Sequence, residues 1–327
     1  MKIPSLKTEQ KFFLTTCFVG LTAGLVAVAL NHLTHWLSDW AGTNAVTYNW
    51  RSFIVGGIFV LISGLLSKRF PFLAGSGIPR TRLQIAMSHG VITAKEWMLK
   101  FVTTLFTLAS GVPLGIEAPT IAISAGIGSS LSRTFFRNPK QVRELVYIGC
   151  SAGIAAAFNT PIAAVIFTLE EIVGNMNARS MAPILIASLV ASVTAATFNE
   201  NSMFVVTAHK LNHPTELFYY LGLGIAGGIA GPLFVRNIVT VKQLSKKIFK
   251  HHFITPMVIG FLMTGAFSLI NPRVPGPGIN LVNDLLMGNA PLPWDQLAML
   301  ALLKFLASAF CYGAGMSGGI LLPTMVI

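Results

Sequence analysis

One carboxylate stands out for the chemistry it could do. In the stretch GIEAPT (115–120), Glu117 is the single formally charged residue between Lys100 and Arg133, with Gly115 before it and Pro119 after it. Proline is tolerated in the first turn of a helix, where its missing N–H has no partner to lose, so a helix is expected to begin near Glu117. The free N–H groups of such a start carry the positive end of the helix dipole. Three further stretches share this grammar. GSGIP (75–79) places Ser76 and loop amides before Pro79, FNTPIAAVIF (158–167) places Asn159 and Thr160 before Pro161, and GGILLP (318–323) places the amides of Ile320 and Leu321 before Pro323. Several helix N-termini without a lysine or arginine among them make an anion site of partial charges. Dipoles and a hydroxyl hold a halide loosely enough to release it. In such a site an ionised Glu117 is a tethered anion that competes with a free one, and a protonated Glu117 moves aside.

The elements that must position these residues are membrane-spanning. Charged residues make up 10% of the 327, hydrophobic ones 53%, and the mean hydropathy is +0.69. A soluble domain averages about 25% charged residues. Apolar runs recur at 12–31, 52–67, 101–132, 145–169, 180–198, 217–235, 253–271 and 296–327. The fold class is therefore an all-α polytopic membrane protein. As one helix, 101–132 would be ~48 Å long against a hydrocarbon core of about 30 Å. Gly111, Pro113, Gly115 and Pro119 interrupt it near its centre, so it reads as two helices meeting around Glu117. Unwound backbone survives at that depth only if protein buries it or it lines a polar cavity.

The pattern is also written twice. GIEAPT and GILLPT (319–324), and the two LKF stretches (99–101 and 303–305), share one offset of 204 residues. GSGIPRTRLQIAMSHG (75–90) has its counterpart in GPGINLVNDLLMGN (276–289). Duplicated supersecondary patterns of this kind build transporters and channels, and we read the two copies as inverted. The expected organisation is an N-terminal cytoplasmic segment (1–11), a first membrane repeat (12–198), an extracytoplasmic connection (199–216) and a second repeat (217–327). The first copy continues for about 80 residues past GIEAPT, whereas the second stops at Ile327. By the same offset it would reach roughly residue 400, so a C-terminally truncated chain is expected.

Charge follows topology. Lys2, Lys7 and Lys11 precede the first run, and the loop expected after it (His32 to Trp50) has no lysine or arginine. Basic residues return at 68–95, at 133–143 and in a cluster from Arg236 to Lys250, whereas 199–216 and 271–295 hold only Lys210 and Arg273. This alternation obeys the positive-inside rule with a cytoplasmic N-terminus, and it accounts for the net charge of +12 without nucleic acid. Cys17, Cys150 and Cys311 lie in apolar runs without metal-ligand spacing, and His251–His252 reads as an interfacial pair. No cofactor and no metal are expected. An intramembrane enzyme would need paired aspartates or a Ser/His arrangement within the spans. Asp39, Asp284 and Asp295 lie in or near loops and the histidines flank spans, so no enzyme is expected. Glu170 and Glu171, neighbours about 100° apart on a helix, cannot face the same way. One reads as structural while the other faces water or a proton route.

At the motifs GSGIP (75–79), GIEAP (115–119), AAAFNTPIAAVIFTLEE (155–171) and GGILLP (318–323), the sequence resembles the ClC family of chloride channels and chloride/proton exchangers. The order and spacing of all four carry the resemblance along the chain. It implies a ClC-like fold of tilted and broken helices and a homodimer with one pathway per subunit. By resemblance, Ser76, within Gly75, Gly77 and Ile78, is similar to the serine facing a central chloride. Glu117 resembles the gating glutamate, with the amides around Ile116 and Ala118 at an outer site. Ile320 and Leu321 resemble the pair whose amides complete the central site, and Glu171 the inner proton-handling glutamate of the exchangers. Glu171 tilts the implied activity towards proton-coupled chloride antiport in an inner or plasma membrane, with chloride and a proton as partners beside membrane lipid. A passive voltage- or pH-gated chloride channel is the alternative, and an inactive truncated member the third. Ser76 argues against the fluoride-selective branch. The sequence departs from the family pattern at Ile116, where a basic residue is usual, at Ala118 for glycine, and at Leu321 for phenylalanine. The family's pore tyrosine is expected beyond residue 327.

Overall fold

Backbone polar groups cannot be left open in hydrocarbon, and this sequence satisfies them within helices. The computed structural model describes residues 6–43, 50–136, 138–174, 178–198, 213–249, 252–288 and 292–327. In chain order the helices are α1 (Leu6–Ala41), α2 (Trp50–Arg69), α3 (Ile78–Met87), α4 (Ala94–Ala109), α5 (Glu117–Phe135), α6 (Pro139–Phe158) and α7 (Pro161–Phe167). There follow α8 (Ala178–Phe198), α9 (Glu216–Ile248), α10 (Ile254–Ile270), α11 (Ile279–Leu286), α12 (Trp294–Gly313) and α13 (Leu321–Val326). Five of them, among the described residues, are long and apolar enough to cross a membrane. The chain is a multi-pass membrane protein.

The long run at 101–132 is broken as its prolines and glycines require, with α4 ending at Ala109 and α5 starting at Glu117. Two helices run furthest past the C-terminal ends of their apolar runs. Residues 32–41, read as a loop, continue α1, because Leu33, Trp36, Leu37 and Trp40 keep the helical apolar spacing beyond the first run. Helix α9 likewise absorbs the basic cluster from Arg236 to Lys247, whose polar heads prolong the helix past the apolar run. The FNTPIAAVIFTLEE helix also changes pitch, from α to a π-helical turn over Thr168–Val173. Most of the extracytoplasmic connection (199–212), residues 1–5, Arg137, Lys250, His251 and Asn289 lie outside the described residues.

Small residues set the packing that positions the site. Val19 and Ala23 of α1, Leu145, Ile148 and Ala152 of α6, and Ala187 and Ala191 of α8 form one buried cluster. Helices α5 and α6 approach to backbone contact. A Cβ on Gly149 would lie 2.3 Å from the Ser124 carbonyl oxygen, and one on Gly128 2.2 Å from that of Leu145. Only glycine permits such an approach, which van der Waals packing in a membrane rewards. Replacing Gly149 with leucine is expected to destabilise the protein by ~3 kcal/mol or more, through overpacking against backbone that cannot yield. Gly228→Ala is the control, since nothing lies within 4 Å of its Cβ position. Thermal midpoints in detergent should fall for the first variant and hold or rise for the second.

Candidate functional site

The two helix breaks meet each other. Gly115 N–H donates to Gly319 O at 2.8 Å and Gly319 N–H returns the bond to Gly115 O at 2.7 Å. This is the one isolated β-bridge among the described residues. It joins the break before α5 to the break before α13, and a Cβ on Gly319 would fit only tightly, 3.2 Å from Ala118 N and Cβ. Gly276 N–H reaches Gly111 O at 2.8 Å, tying a third loop to the same region.

The loop before α3 closes the cluster. Gly75 and Gly77 have positive φ (71° and 91°), and Gly77 is the left-handed N-cap of α3. Gly75 N–H donates to Met316 O at 3.2 Å, and the Tyr312 hydroxyl donates to Ser76 Oγ at 3.2 Å. A Cβ on Gly77 would meet Ala122 of α5 at 2.6 Å. The starts of α3, α5 and α13 are thus neighbours. Their N-caps, Gly77, Ile116 and Ile320, make no side-chain capping bonds. Gly75, Ser76, Gly77, Ile78, Ile116, Glu117, Ala118 and Ile320 all belong to this cluster. Leu321 belongs to it through its backbone, while its side chain is exposed.

Glu117 is 1% exposed, and both its carboxylate oxygens lack a hydrogen-bond partner among the described residues. The amides of Ile116 and Glu117 face the carboxylate from outside strict hydrogen-bonding geometry. The side chain folds back over Gly115, where a Cβ would lie 2.1 Å from Oε2. Glu117 therefore does not cap its helix; it rests in space that only glycine leaves open. With Ile116 and Leu322 it lines a cavity of about 1210 Å³, bordered also by His32, His35 and Arg273. The histidines reach this cavity because α1 continues through what the sequence reading took for a loop.

Two expected features lie elsewhere. The start of α7 is exposed and stays out of the cluster, because Asn159 takes the left-handed C-cap of α6 (φ 55°) and its Oδ1 accepts a short hydrogen bond from Ser192 Oγ. Asn159 lines only the large cavity. Glu171 sits exposed in the π-helical turn, ion-paired with Arg82 of α3 at 2.7 Å, and Glu170 is exposed beside it.

Sequence reasoning missed two residues. It expected no lysine or arginine among the helix starts, yet the Lys100 ammonium is buried there, donating to Leu73 O (2.8 Å), Gly75 O (2.5 Å) and Ser317 Oγ (2.9 Å). Its signal was the repeated LKF. Tyr312 had none, because its contact with Ser76 spans 236 residues of chain.

Comparison with known proteins matches residues 59–327 to the voltage-gated chloride channel family. A putative chloride channel protein ClcB-like from Ralstonia nicotianae is 27% identical over 322 residues, 94% of this chain and 74% of the relative. The H(+)/Cl(-) exchange transporter ClcA from Klebsiella pneumoniae is 27% identical over 336 residues, 98% of this chain and 71% of the relative. Among solved structures, a slow cyanobacterial Cl-/H+ antiporter superposes with TM-score 0.82 at 23% identity, over 99% of this chain and 77% of its own. A CLC-type fluoride/proton antiporter gives TM-score 0.83 at 22% identity, over 98% and 80%. These two are likenesses of fold. A family match across most of the chain, on a fold whose broken helices bring Ser76, Glu117 and Ile320 into one cluster, leaves one conclusion: the chain belongs to the voltage-gated chloride channel family.

Proposed function

We propose that this chain exchanges chloride for protons across a membrane, with Glu117 as the gate of the anion pathway. The observation that carries the reading is the Glu117 carboxylate, buried and without a hydrogen-bond partner among the described residues, beside the starts of three broken helices and lining a cavity. An ionised carboxylate there occupies the place of a permeating anion. Adding a proton removes its charge and its claim on the amides, so proton uptake and anion passage become linked events. Ser76 and the amides of Ile320 and Leu321 hold chloride further along, and the amides around Ile116 and Ala118 hold it at the gate. The ClcA relatives, named as H(+)/Cl(-) exchange transporters, support exchange.

The wider arrangement follows from the same reading. Residues 12–198 and 217–327 are inverted halves, the N-terminus is cytoplasmic, and the protein works as a homodimer in a cell or inner membrane among its lipids. One observation favours the passive chloride channel instead. Glu171, the candidate for inner proton handling, is neutralised at the surface by Arg82.

Vesicles carrying the purified protein discriminate the two. An imposed chloride gradient should drive a measurable proton flux; chloride movement with no pH change would leave the channel and remove the exchanger. Glu117→Gln, permanently uncharged, is expected to keep chloride flux and lose proton movement, and coupled protons in that variant would exclude the gate. In Gly115→Ala the added methyl takes the position of Oε2. The carboxylate is the flexible partner and must shift, so coupled proton flux should fall by roughly tenfold or more. The thermal midpoint should change little, and undiminished coupling would show that the carboxylate does not work from this position.

A further inference from the structure

The two LKF lysines make the same contact twice. Lys100 of α4 and Lys304 of α12 are separated by the repeat offset of 204 residues. Each is buried, and neither has a carboxylate within ion-pair distance among the described residues. An ammonium in such surroundings is costly unless its donors are met. Lys100 meets them with Leu73 O, Gly75 O and Ser317 Oγ. Lys304 donates to Val274 O and Gly276 O, both at 3.0 Å. The carbonyls clamped in each case belong to the loop that ends in a left-handed N-cap, Gly77 (φ 91°) for α3 and Gly278 (φ 94°) for α11. The close packing agrees: the Lys100 Cε lies 3.3 Å from a Cβ built on Gly77, and the Lys304 Nζ 3.2 Å from one built on Gly278.

Two differences separate the copies. Between clamped carbonyl and N-cap glycine the first loop has Ser76, a hydroxyl, and the second has Pro277, which offers neither a hydroxyl nor an N–H. Lys100 also has a third acceptor, Ser317, which precedes GGILLP and shares a 2.9 Å contact with Thr104 Oγ1. Lys100 therefore joins the Ser76 loop to the Ile320 loop, the two that flank the candidate anion position.

We infer that Lys100 is a positioning residue for the anion site, and that Lys304 is its mechanical twin at a loop that borders the same cavity as Glu117 but puts Pro277 where the first loop has Ser76. Lys100 draws the carbonyl oxygens of Leu73 and Gly75 onto itself, away from the start of α3, where their negative ends would repel an anion. In its protonated form it sets a positive charge behind Ser76. With its donors taken it does not ligate the anion, so its effect passes through the loop and through the field. This inference rests on the chloride reading above.

The duplication supplies its own control. Chloride titration calorimetry on the purified full chain in detergent, paired with thermal midpoints, compares wild type, Lys100→Met and Lys304→Met. Both variants should lose thermal stability. Lys100→Met should weaken chloride binding by roughly tenfold or more, as for a lost charge-assisted contact, while Lys304→Met stays within about twofold. Equal affinity losses in the two, or an unchanged affinity in Lys100→Met, would overturn the inference. Should Lys100→Met fail to fold, Lys100→Gln and Ser317→Ala take its place, the first removing the charge and the second the tie between loops. Weaker chloride binding in both supports the inference, and unchanged binding in both overturns it. A wild type that binds no chloride would sink the transport reading and this inference with it. Wild-type binding that survives the loss of Lys100 sinks the inference alone.

Discussion

Everything in this molecule depends on how open backbone is kept at membrane depth. A helix that stops inside hydrocarbon leaves N–H and C=O groups without partners, and each costs several kcal/mol unless another group meets it. Here the breaks answer one another. Gly115 and Gly319 exchange two backbone bonds, Gly75 donates to Met316 and Gly276 to Gly111. Lysine ammonium groups take carbonyls that these bonds leave over. The carbonyl ends are spent on protein partners, while the first-turn amides of α3, α5 and α13 carry no side-chain cap. What remains is a region biased towards positive potential and built mostly of backbone. On the reading proposed above, such a region attracts an anion without gripping it.

That bias also explains why a carboxylate can stay. Among the described residues Glu117 has no salt bridge and no hydrogen bond by strict geometry, which would ordinarily exclude an ionisable group from an apolar interior. Its compensation is the field of the helix starts, together with the cavity at its side. Both act differently on the charged and the neutral acid. On the reading proposed above, a side chain whose preferred position changes with protonation serves as the gate. The empty space over Gly115 that holds it belongs to that gate as much as the carboxylate does.

Much of this was legible in the sequence because prolines and glycines declare where helices begin. The start of α5 at Glu117 and the break before α13 followed from Pro119, Pro323 and their glycines. The apolar runs gave spans but misjudged their lengths, since helices do not end where hydrophobicity does. Amphipathic turns carried α1 on to Ala41 and α9 on to Ile248. Long-range contact was the illegible part. Nothing local marks Tyr312 as a neighbour of Ser76, or separates Lys100 from an interfacial lysine, because burial depends on elements more than 200 residues away. The α7 motif misled for a related reason. It has the same helix-start grammar, but Asn159 turned it to the outside of the cluster.

Duplication accounts for the scaffold, and its imperfections account for the chemistry. A repeated loop–helix–break pattern places two breaks face to face, which one copy could not do. If the copies were identical a second carboxylate would stand at 321, where the side chain is exposed while that of Glu117 is buried. The sequence has GIEAPT in one copy and GILLPT in the other, so a leucine takes the second position. Ser76 against Pro277 makes the same choice for the hydroxyl. Symmetry brings the helix starts together, and single-residue asymmetry leaves one acid and one hydroxyl among them.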